Sequence, residues 1–332
     1  MRDWLIAADD RTGAFEVAAQ LPGSAAPVTV AVGDPVAGAC VVDLGSRALA
    51  PAHAAARAAA IEAEPARWVG HKMDSTLRGN WASEVMARHA VNGRRVIVLP
   101  GWPALGRTCL GGVVRVHGEP VGSVLEQLPD SVVAPTPAAL SQWLLGDGPV
   151  VVCDIADTTE MQSMAVAAAS AVGALIVGPA GPLGAVFAAR SAAAAPSIPP
   201  EVEEPVLVIC GSANPASRQQ LALLAAHCSS VTILAAPDAE GPLHVGVAHD
   251  LAAAAGDAVA RLMPSTIVII GGDTAAAYLG DAPRLVGGNV APGMPWSRDA
   301  DGGGPLVITK AGGFGGPESL VSLIDPRRVV AG

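Results

Sequence analysis

The sequence predicts an α/β protein built from two α/β lobes, with largely parallel sheets and a cleft between them. Short apolar runs without polar alternation recur along the chain, alanine-rich stretches separate them, and a proline-rich acidic segment interrupts the pattern at residues 191–205. Unalternated apolar runs are typical of strands that are buried on both faces. Strands and helices that alternate along a chain form parallel sheets with right-handed crossovers.

The first lobe comprises the elements before residue 191. Its apolar runs predict strands at residues 4–8, 39–42, 67–70, 96–99, 150–153 and 174–177. The spacing of apolar residues between these runs predicts helices at residues 51–63, 81–91, 159–171 and 181–190. This order of strand, helix and strand assigns the lobe to the α/β class.

The segment 191–205 marks the predicted domain boundary. It contains four prolines and three glutamates, which cannot continue a helix or a central strand. We therefore predict one domain over residues 1–190, a linker over 191–205 and a second domain over 206–332. After the linker the alternation resumes, with strands at residues 206–209, 231–234 and 266–270 and helices at 215–227 and 249–262.

Composition and charge exclude several classes of protein. No uncharged apolar run reaches the roughly 18 to 20 residues of a membrane span, and the first residues lack the order of a signal peptide, so we expect a cytoplasmic location without a membrane partner. The net charge of -10 repels polyanions, so we do not expect nucleic acid as a partner. The five cysteines lack metal-site spacing, which indicates reduced, mostly buried thiols. The oligomeric state stays open, a homo-oligomer included.

A pair of aspartates follows the first predicted strand, in the segment Asp9-Asp10-Arg11-Thr12-Gly13-Ala14. Open α/β sheets bind ligands at the carboxyl ends of their strands. Capping of the next helix by Asp10 or Thr12 is the alternative, but a cap needs only one such residue. Adjacent carboxylates accept hydrogen bonds from hydroxyl groups, and one whose pKa is raised by its neighbour takes a proton from a reacting hydroxyl. Asp9 or Asp10 is therefore the candidate catalytic base.

A second polar cluster, Lys72 to Asn80, follows the strand-like residues 67–70. Arg78 has the geometry to bind a carboxylate through two parallel N–H groups, and Lys72 adds a point charge. Asp74, Ser75 and Thr76 supply further groups that bond to hydroxyls. The combination predicts a site for a sugar acid; a solvated loop with local pairing of aspartate and arginine is the alternative.

Glycine-containing turns follow the strands of the second lobe. Such turns expose backbone N–H groups to an anion, so together they predict a phosphate-binding mouth. Neither a P-loop nor a dinucleotide fingerprint is present. The turns are Gly211-Ser212, Gly271-Gly272-Asp273-Thr274, Gly287-Gly288-Asn289 with Pro292-Gly293, and Lys310-Ala311-Gly312-Gly313-Phe314-Gly315-Gly316.

These segments, in this order, resemble the motifs of the four-carbon acid sugar kinase family. The family shows a DDxTGA turn, a KxDSTLRGN segment, a GGDTA turn and a KxGxFG segment, which are similar to residues 9–14, 72–80, 271–275 and 310–315. Weaker similarities are a proline-to-GRT loop at residues 103–108, which contains Arg107, and a GS-x-x-P turn at residues 211–215, followed by Gln219 or Gln220. Arg11 stands where the family usually has an apolar residue, and it either contacts an extra anionic group or faces solvent.

The resemblance implies a sugar-acid-binding N-terminal lobe, a nucleotide-binding C-terminal lobe, and phosphorylation by ATP of a terminal hydroxyl of a tetronate or 3-oxo-tetronate. We expect Arg78 and Lys72 to bind the substrate carboxylate, and Asp9, Asp10, Asp74 and Ser75 to bind its hydroxyls. Arg107 either reaches the cleft or is solvated. The residues expected at the substrate are Asp9, Asp10, Arg11, Lys72, Asp74, Ser75, Arg78 and Arg107.

The glycine-rich turns are expected to bind ATP and Mg²⁺. Asp273 either holds Mg²⁺, directly or through water, or caps the following helix, and Lys310 is expected to neutralise phosphate. A binding module without catalysis and a kinase for a longer or modified sugar acid are the alternative functions; a dehydrogenase lacks its glycine fingerprint. The residues expected at the nucleotide are Gly211, Ser212, Gly271, Gly272, Asp273, Thr274, Pro292, Gly293, Lys310, Gly312, Gly313, Phe314 and Gly315.

Overall fold

The computed structural model describes residues 2–21, 28–37, 40–191, 199–237 and 246–325. The chain divides into two compact units, Met1–Pro196 and Ser197–Gly332, and the division falls within the segment 191–205. Among the described residues, no helix is both long enough and apolar enough to cross a membrane. The five cysteines are free thiols, and four of them are buried, as the sequence predicts.

The first unit is built on a parallel sheet whose strands lie mostly in the buried interior. This sheet confirms the predicted α/β class and its largely parallel strands, since every strand pair is parallel. Across the sheet the order is β2 (Val28–Val32), β3 (Cys40–Asp43), β1 (Arg2–Ala8), β4 (Ala66–Lys72), β11 (Leu175–Gly178), β5 (Val96–Val98), β10 (Val150–Cys153) and β9 (Val132–Ala134).

Helices pack against this sheet, and a small antiparallel sheet is inserted after β5. The helices are α1 (Arg11–Ala18), α2 (Pro51–Ala60), α3 (Trp81–Asn92), α4 (Val124–Gln127), α5 (Pro137–Leu144), α6 (Thr158–Ala169) and α7 (Ala180–Arg190). The inserted sheet comprises β6 (Arg107–Leu110), β7 (Val113–Val116) and β8 (Glu119–Ser123). The sequence did not predict this sheet, β2, β9, α4 or α5, because these elements are short and several are partly exposed.

The second unit has its own sheet, with parallel and antiparallel parts. The parallel strands are β13 (Thr232–Ala235), β12 (Val206–Cys210), β14 (Thr266–Ile270) and β17 (Leu306–Lys310), and β16 (Met294–Asp299) and β15 (Arg284–Ala291) extend the sheet in antiparallel orientation. Its helices are α8 (Pro215–His227), α9 (Val247–Leu262), α10 (Gly272–Leu279) and α11 (Ser319–Ile324).

One predicted glycine turn is wrong. Gly287-Gly288-Asn289 lies inside β15 and not in a turn. A side chain at Gly287 would overlap the ring of Trp296 on β16, so glycine makes room for a cross-strand tryptophan. Gly287 therefore serves sheet packing, and residues 287–289 do not form a phosphate-binding turn.

Strand register brings the functional segments together within each unit. Ala8, the last residue of β1, pairs with Asp43 on β3 and with Lys72 on β4, which in turn pairs with Gly178 on β11. In the second unit, Cys210 pairs with Ile270, and Ile270 pairs with Lys310. The loops that leave these aligned carboxyl ends start side by side, as ligand sites of open α/β sheets require.

A buried ion pair holds α3 against the preceding 3-10 turn, Ile61–Ala63. The fully buried guanidinium of Arg88 donates from Nε to Glu62 Oε1 at 2.5 Å and from Nη1 to the Gly70 carbonyl at 2.6 Å. Burial raises the pKa of Glu62, but Arg88, Asn92 and Arg94 more than offset this effect, so its pKa is lowered. The carboxylate is therefore charged and saturated with donors.

We expect Glu62→Ala to lower the free energy of unfolding by roughly 3 to 5 kcal/mol at neutral pH, because the substitution leaves Arg88 buried without its counter-charge. The lowered pKa means that the pair stabilises the fold above the unfolded-state pKa of 4.5 and loses this effect as the pH falls. Urea unfolding at pH 7 and pH 4 measures both effects. The exposed Glu119→Ala serves as control, and equal stability of the two variants would contradict the assignment.

Candidate active site

Arg47 is the centre of the polar site in the first unit, and the sequence analysis did not select it. Its Nε and Nη2 donate to Asp9 at 2.7 and 2.9 Å, and its Nη1 lies 2.5 Å from Asp10 Oδ2. Nη2 is also 3.8 Å from Asp74 Oδ1. One guanidinium thus joins the aspartates of both predicted clusters. The available signal was a lone arginine four residues after the end of β3, at the edge where the clusters meet.

The loop that carries Arg47 is fixed by its backbone. The amides of Ser46 and Arg47 donate to the Asp9 carbonyl at 3.0 and 3.2 Å. Asn80 Nδ2 donates to the carbonyls of Ser46 and Leu49 at 3.0 and 2.8 Å. The conformation of the loop, and with it the direction of the Arg47 side chain, is therefore set by both clusters.

Asp9 and Asp10 differ in environment although they are adjacent. Asp9 is fully buried, and burial raises its pKa while Arg47 opposes the rise. The side chain of Asp10 is 25% exposed, and its Oδ1 accepts a hydrogen bond from the Gly13 amide at 2.7 Å as the N-cap of α1. Asp10 therefore caps α1, which is the alternative role that the sequence left open for it. Its other carboxylate oxygen, Oδ2, contacts Arg47.

Asp74 and Arg78 form a local ion pair. Such a pair is part of the alternative interpretation of the second polar cluster, a solvated loop. Arg78 Nε and Nη2 donate to Asp74 at 3.0 and 2.6 Å, and the Thr76 hydroxyl donates to Asp74 at 2.5 Å. Burial raises the pKa of Asp74, but these donors outweigh it and hold the pKa well below its usual range. The Arg78 side chain is 69% exposed, so the pair also presents a guanidinium to solvent, and Ser75 beside it is half-buried.

Lys72 and Arg107 are two further basic residues expected at the substrate. Lys72 is buried, donates to the Met73 carbonyl at 3.0 Å and lies 3.5 Å from Glu16 Oε2. Arg107 donates to the Leu105 carbonyl, and burial lowers its pKa while the charges of Glu16 and Asp74 act in the opposite direction. These charges place Arg107 in the electrostatic field of the cluster.

Arg11 does not face solvent, which was one of its two predicted alternatives; contact with an extra anionic group stays a prediction. The residue is 3% exposed, and its Nε lies 3.7 Å from Asp43 Oδ2. Burial raises the pKa of Asp43 to about 6. The expectation of a solvent-facing Arg11 is therefore wrong, because its charge is matched inside the unit by an acid at the end of β3.

The glycine-rich turns of the second unit meet at the carboxyl ends of β12, β14 and β17. The Gly211 amide donates to the Ile270 carbonyl at 3.1 Å, and the Gly271 amide donates to the Lys310 carbonyl at 3.0 Å. Gly271 has a φ of +110°, which a residue with a side chain rarely adopts. Buried Thr274 packs against Gly211. Phe314 packs against Gly293, which follows Pro292 in the turn between β15 and β16. The predicted turns, Gly287–Asn289 excepted, therefore form one cluster.

Lys310 is placed beneath this cluster and not on its surface. It is 1% exposed and donates to the carbonyls of Ala311 and Gly312 at 3.1 and 3.5 Å. Burial lowers its pKa to about 8. The lysine therefore holds the start of the glycine-rich segment, and its expected role in neutralising phosphate stays a prediction.

Asp273 is not the N-cap of α10, and its expected role at Mg²⁺ stays a prediction. It is exposed in the first turn of α10, whose N-cap residue, Gly271, has no side-chain cap hydrogen bond. Among the described residues, no group of three or more acidic, cysteine or histidine side chains is arranged to hold a metal. Mg²⁺ that is bound with nucleotides commonly needs only one or two carboxylates besides phosphate oxygens. A lone exposed carboxylate beside glycine amides fits this pattern.

Comparison with known proteins covers both units. The family model of the sugar-binding N-terminal domain matches residues 4–144. A D-threonate kinase from Bordetella bronchiseptica is 30% identical over 401 aligned positions, which cover 95% of each chain. A D-threonate kinase from Cupriavidus necator is 41% identical over 130 residues, which cover 36% of this chain and 31% of that protein.

Solved structures share the fold. A protein from Salmonella typhimurium LT2 has a TM-score of 0.76 at 19% identity, with 97% of this chain and 98% of that chain covered. A domain from Bordetella bronchiseptica, described as a domain-swapped dimer with bound citrate, has a TM-score of 0.52 at 26% identity over 96% of both chains. The first likeness concerns the fold alone.

Similarity to a D-threonate kinase over 95% of each chain assigns this chain to the phosphotransferases that use an alcohol group as acceptor. The chain belongs to the four-carbon acid sugar kinase family, as the resemblance of its motifs predicts.

We expect Arg47→Met to lower the free energy of unfolding by roughly 3 kcal/mol at pH 7, because it leaves buried Asp9 without its counter-charge. The pKa of Asp9, already raised by burial, should rise further, so protonation relieves the loss and the deficit shrinks as the pH falls towards 4. Urea unfolding across this pH range measures the trend. The exposed Arg261→Met is the control, and a pH-independent deficit would contradict the role of Arg47.

Lys310 gives a second pH dependence, in the alkaline range. Its folded-state pKa of about 8 lies below the ordinary value of 10.5, so the folded state binds fewer protons between these values than the unfolded state does. We therefore expect the wild type to gain stability relative to Lys310→Met as the pH rises from 8 towards 10. Urea midpoints of both proteins at pH 7 and 9.5 test this, and a constant difference would show that burial does not lower the pKa.

Proposed function

We propose that this protein transfers a phosphoryl group from ATP to a terminal hydroxyl of a four-carbon sugar acid, a tetronate or 3-oxo-tetronate, with threonate as the first candidate. The observation that carries the proposal is the Arg47 cluster, which gathers Asp9, Asp10 and Asp74 within the segment that matches a sugar-binding domain. The D-threonate kinase activity of the Bordetella relative supports the substrate class.

Arg78 is the group that we assign to the substrate carboxylate. Its side chain is exposed, whereas Lys72 is buried between Glu16 and the Met73 carbonyl. Because Asp74 holds two of its nitrogens, the guanidinium is fixed in direction before the ligand arrives. A fixed guanidinium loses little side-chain entropy when it binds a carboxylate. Ser75 and Arg107 stay predicted substrate contacts on the same cluster.

Asp10 is the base in this proposal, and Asp9 positions Arg47. Asp9 is fully buried with both oxygens bonded to Arg47, whereas Asp10 is partly exposed. As the acceptor hydroxyl attacks the γ-phosphorus, its oxygen forms the new P–O bond, the bond to the β-phosphate oxygen breaks, and Asp10 takes the hydroxyl proton while ADP leaves. Phosphoryl transfer needs mainly positioning and charge neutralisation from the protein.

The glycine cluster of the second unit is the proposed ATP site. Backbone N–H groups of this cluster donate to the phosphates, and its glycines let the phosphates come close to the backbone. The segments concerned are residues 211–212, 271–274, 292–293 and 312–315. Asp273 would hold Mg²⁺, which neutralises charge on the phosphates when it is bound. Lys310 acts by supporting the turn.

The remaining expectations stay predictions. The domain-swapped dimer of the Bordetella structure supports a homo-oligomer. A cytoplasmic location agrees with the small-molecule substrate and with ATP as phosphoryl donor. Residues 1–190 and 206–332 keep their assigned roles as the sugar-acid and nucleotide domains.

The test is ADP release with Mg²⁺ and ATP against both enantiomers of threonate and erythronate and their 3-oxo forms. We expect turnover with at least one of these acids, and loss of a general base should lower kcat of Asp10→Asn by roughly 100-fold or more. Asp9→Asn should mainly raise KM for the acid.

The exposed Asp130→Asn removes the same charge elsewhere and should retain activity. Turnover of Asp10→Asn equal to that of the wild type would exclude its role as base. No turnover with any acid, despite intact ATP binding, would point to a longer or modified acid, and absent ATP binding would point to a non-catalytic module.

A further inference from the structure

One face of α8 holds the glycine-rich segment 312–316 by its carbonyl groups. Ser217 Oγ donates to the Gly312 carbonyl at 2.6 Å. Gln220 Nε2 lies 3.0, 3.1 and 2.9 Å from the carbonyl oxygens of Phe314, Gly315 and Gly316. Ser217 and Gln220 are three residues apart on the helix and fully buried, so both point to the same side.

These contacts fix the orientation of Gln220 as well as that of the segment. Only the amide nitrogen of glutamine donates, so contact with three carbonyls assigns Nε2 to this side. Two N–H bonds serve three acceptors, which requires one shared hydrogen bond. Gln219, the neighbouring residue, is exposed, so the structure separates the two glutamines between which the sequence left the choice open.

Peptide geometry converts the anchored carbonyls into oriented donors. In a planar trans peptide the carbonyl of one residue and the N–H of the next point in opposite directions. With the carbonyls of residues 312, 314 and 315 turned towards α8, the N–H groups of Gly313, Gly315 and Gly316 point away from it. Among the described residues no acceptor contacts these three amides, and all three glycines are exposed.

Resting on the proposed function, we propose that Gln220, assisted by Ser217, is a positioning residue that presents the amides of Gly313, Gly315 and Gly316 to the phosphate chain of the nucleotide. Successive N–H groups that converge outside a turn bind anions. Glycine permits this arrangement at residue 315, where φ is +82°. Gln220 acts through the segment and does not touch the ligand itself.

The test compares Gln220→Met, which keeps the side-chain length but removes both donors, with Gln219→Met on the exposed side of the same helix. Isothermal titration measures the Kd of ADP, inorganic tripolyphosphate and adenosine for the full chain. We expect Gln220→Met to raise the Kd of ADP and tripolyphosphate by roughly tenfold or more and to leave adenosine unchanged. In turnover, KM for ATP should rise while KM for the sugar acid stays constant.

Several outcomes would overturn this role. Wild-type affinity of Gln220→Met for ADP, or an equal loss for adenosine and ADP, would show that Gln220 does not act through the phosphates. If Gln220→Met does not fold, Ser217→Ala takes its place in the test. Ser217→Ala should then raise the Kd of ADP and tripolyphosphate by a smaller factor and leave that of adenosine unchanged. Wild-type Kd values for ADP and tripolyphosphate would refute the inference. A wild-type protein that binds neither ADP nor tripolyphosphate would refute the proposed nucleotide site itself, which is a distinct result.

Discussion

The first unit depends on one guanidinium that contacts three carboxylates at a sheet edge. Without Arg47, the parallel strands would end in a concentration of negative charge, with Asp9 fully buried. Removing one partner of a buried ion pair is costly, because the other charge then stays buried without a counter-charge. Arg47 therefore links the loop after β3, the N-terminus of α1 and the turn after β4, and backbone hydrogen bonds together with Asn80 fix the loop that carries it.

The sequence predicts the long, uniformly apolar elements well. The strand at residues 266–270 and the helix at 215–227 have the predicted bounds, because a fully buried strand and a proline-started helix leave clear local signals. The inserted sheet β6–β8 escapes prediction, since its strands are short and partly exposed and its turns place His117 and Gly118 at positive φ. Such a sheet is defined by tertiary pairing and not by local pattern.

The candidate site was predictable as a set of motifs but not as a set of contacts. Asp9, Asp10, Asp74 and Arg78 are named by the sequence, because scarce charge that follows strands is informative. Arg47 is not, since its role arises only when the register aligns β1, β3 and β4. Lys310 shows a similar limit: the sequence predicts that it neutralises phosphate, but it does not predict its burial or its bonds to the carbonyls of Ala311 and Gly312.

The pairing of Arg11 with Asp43 constrains how this sequence changes over generations. Loss of Asp43 alone would remove an acidic contact of the buried Arg11 side chain, and loss of Arg11 alone would remove a positive charge that lowers the pKa of the buried Asp43 carboxyl. The effects of substitutions at these two positions, 32 residues apart in the chain, should therefore not be additive.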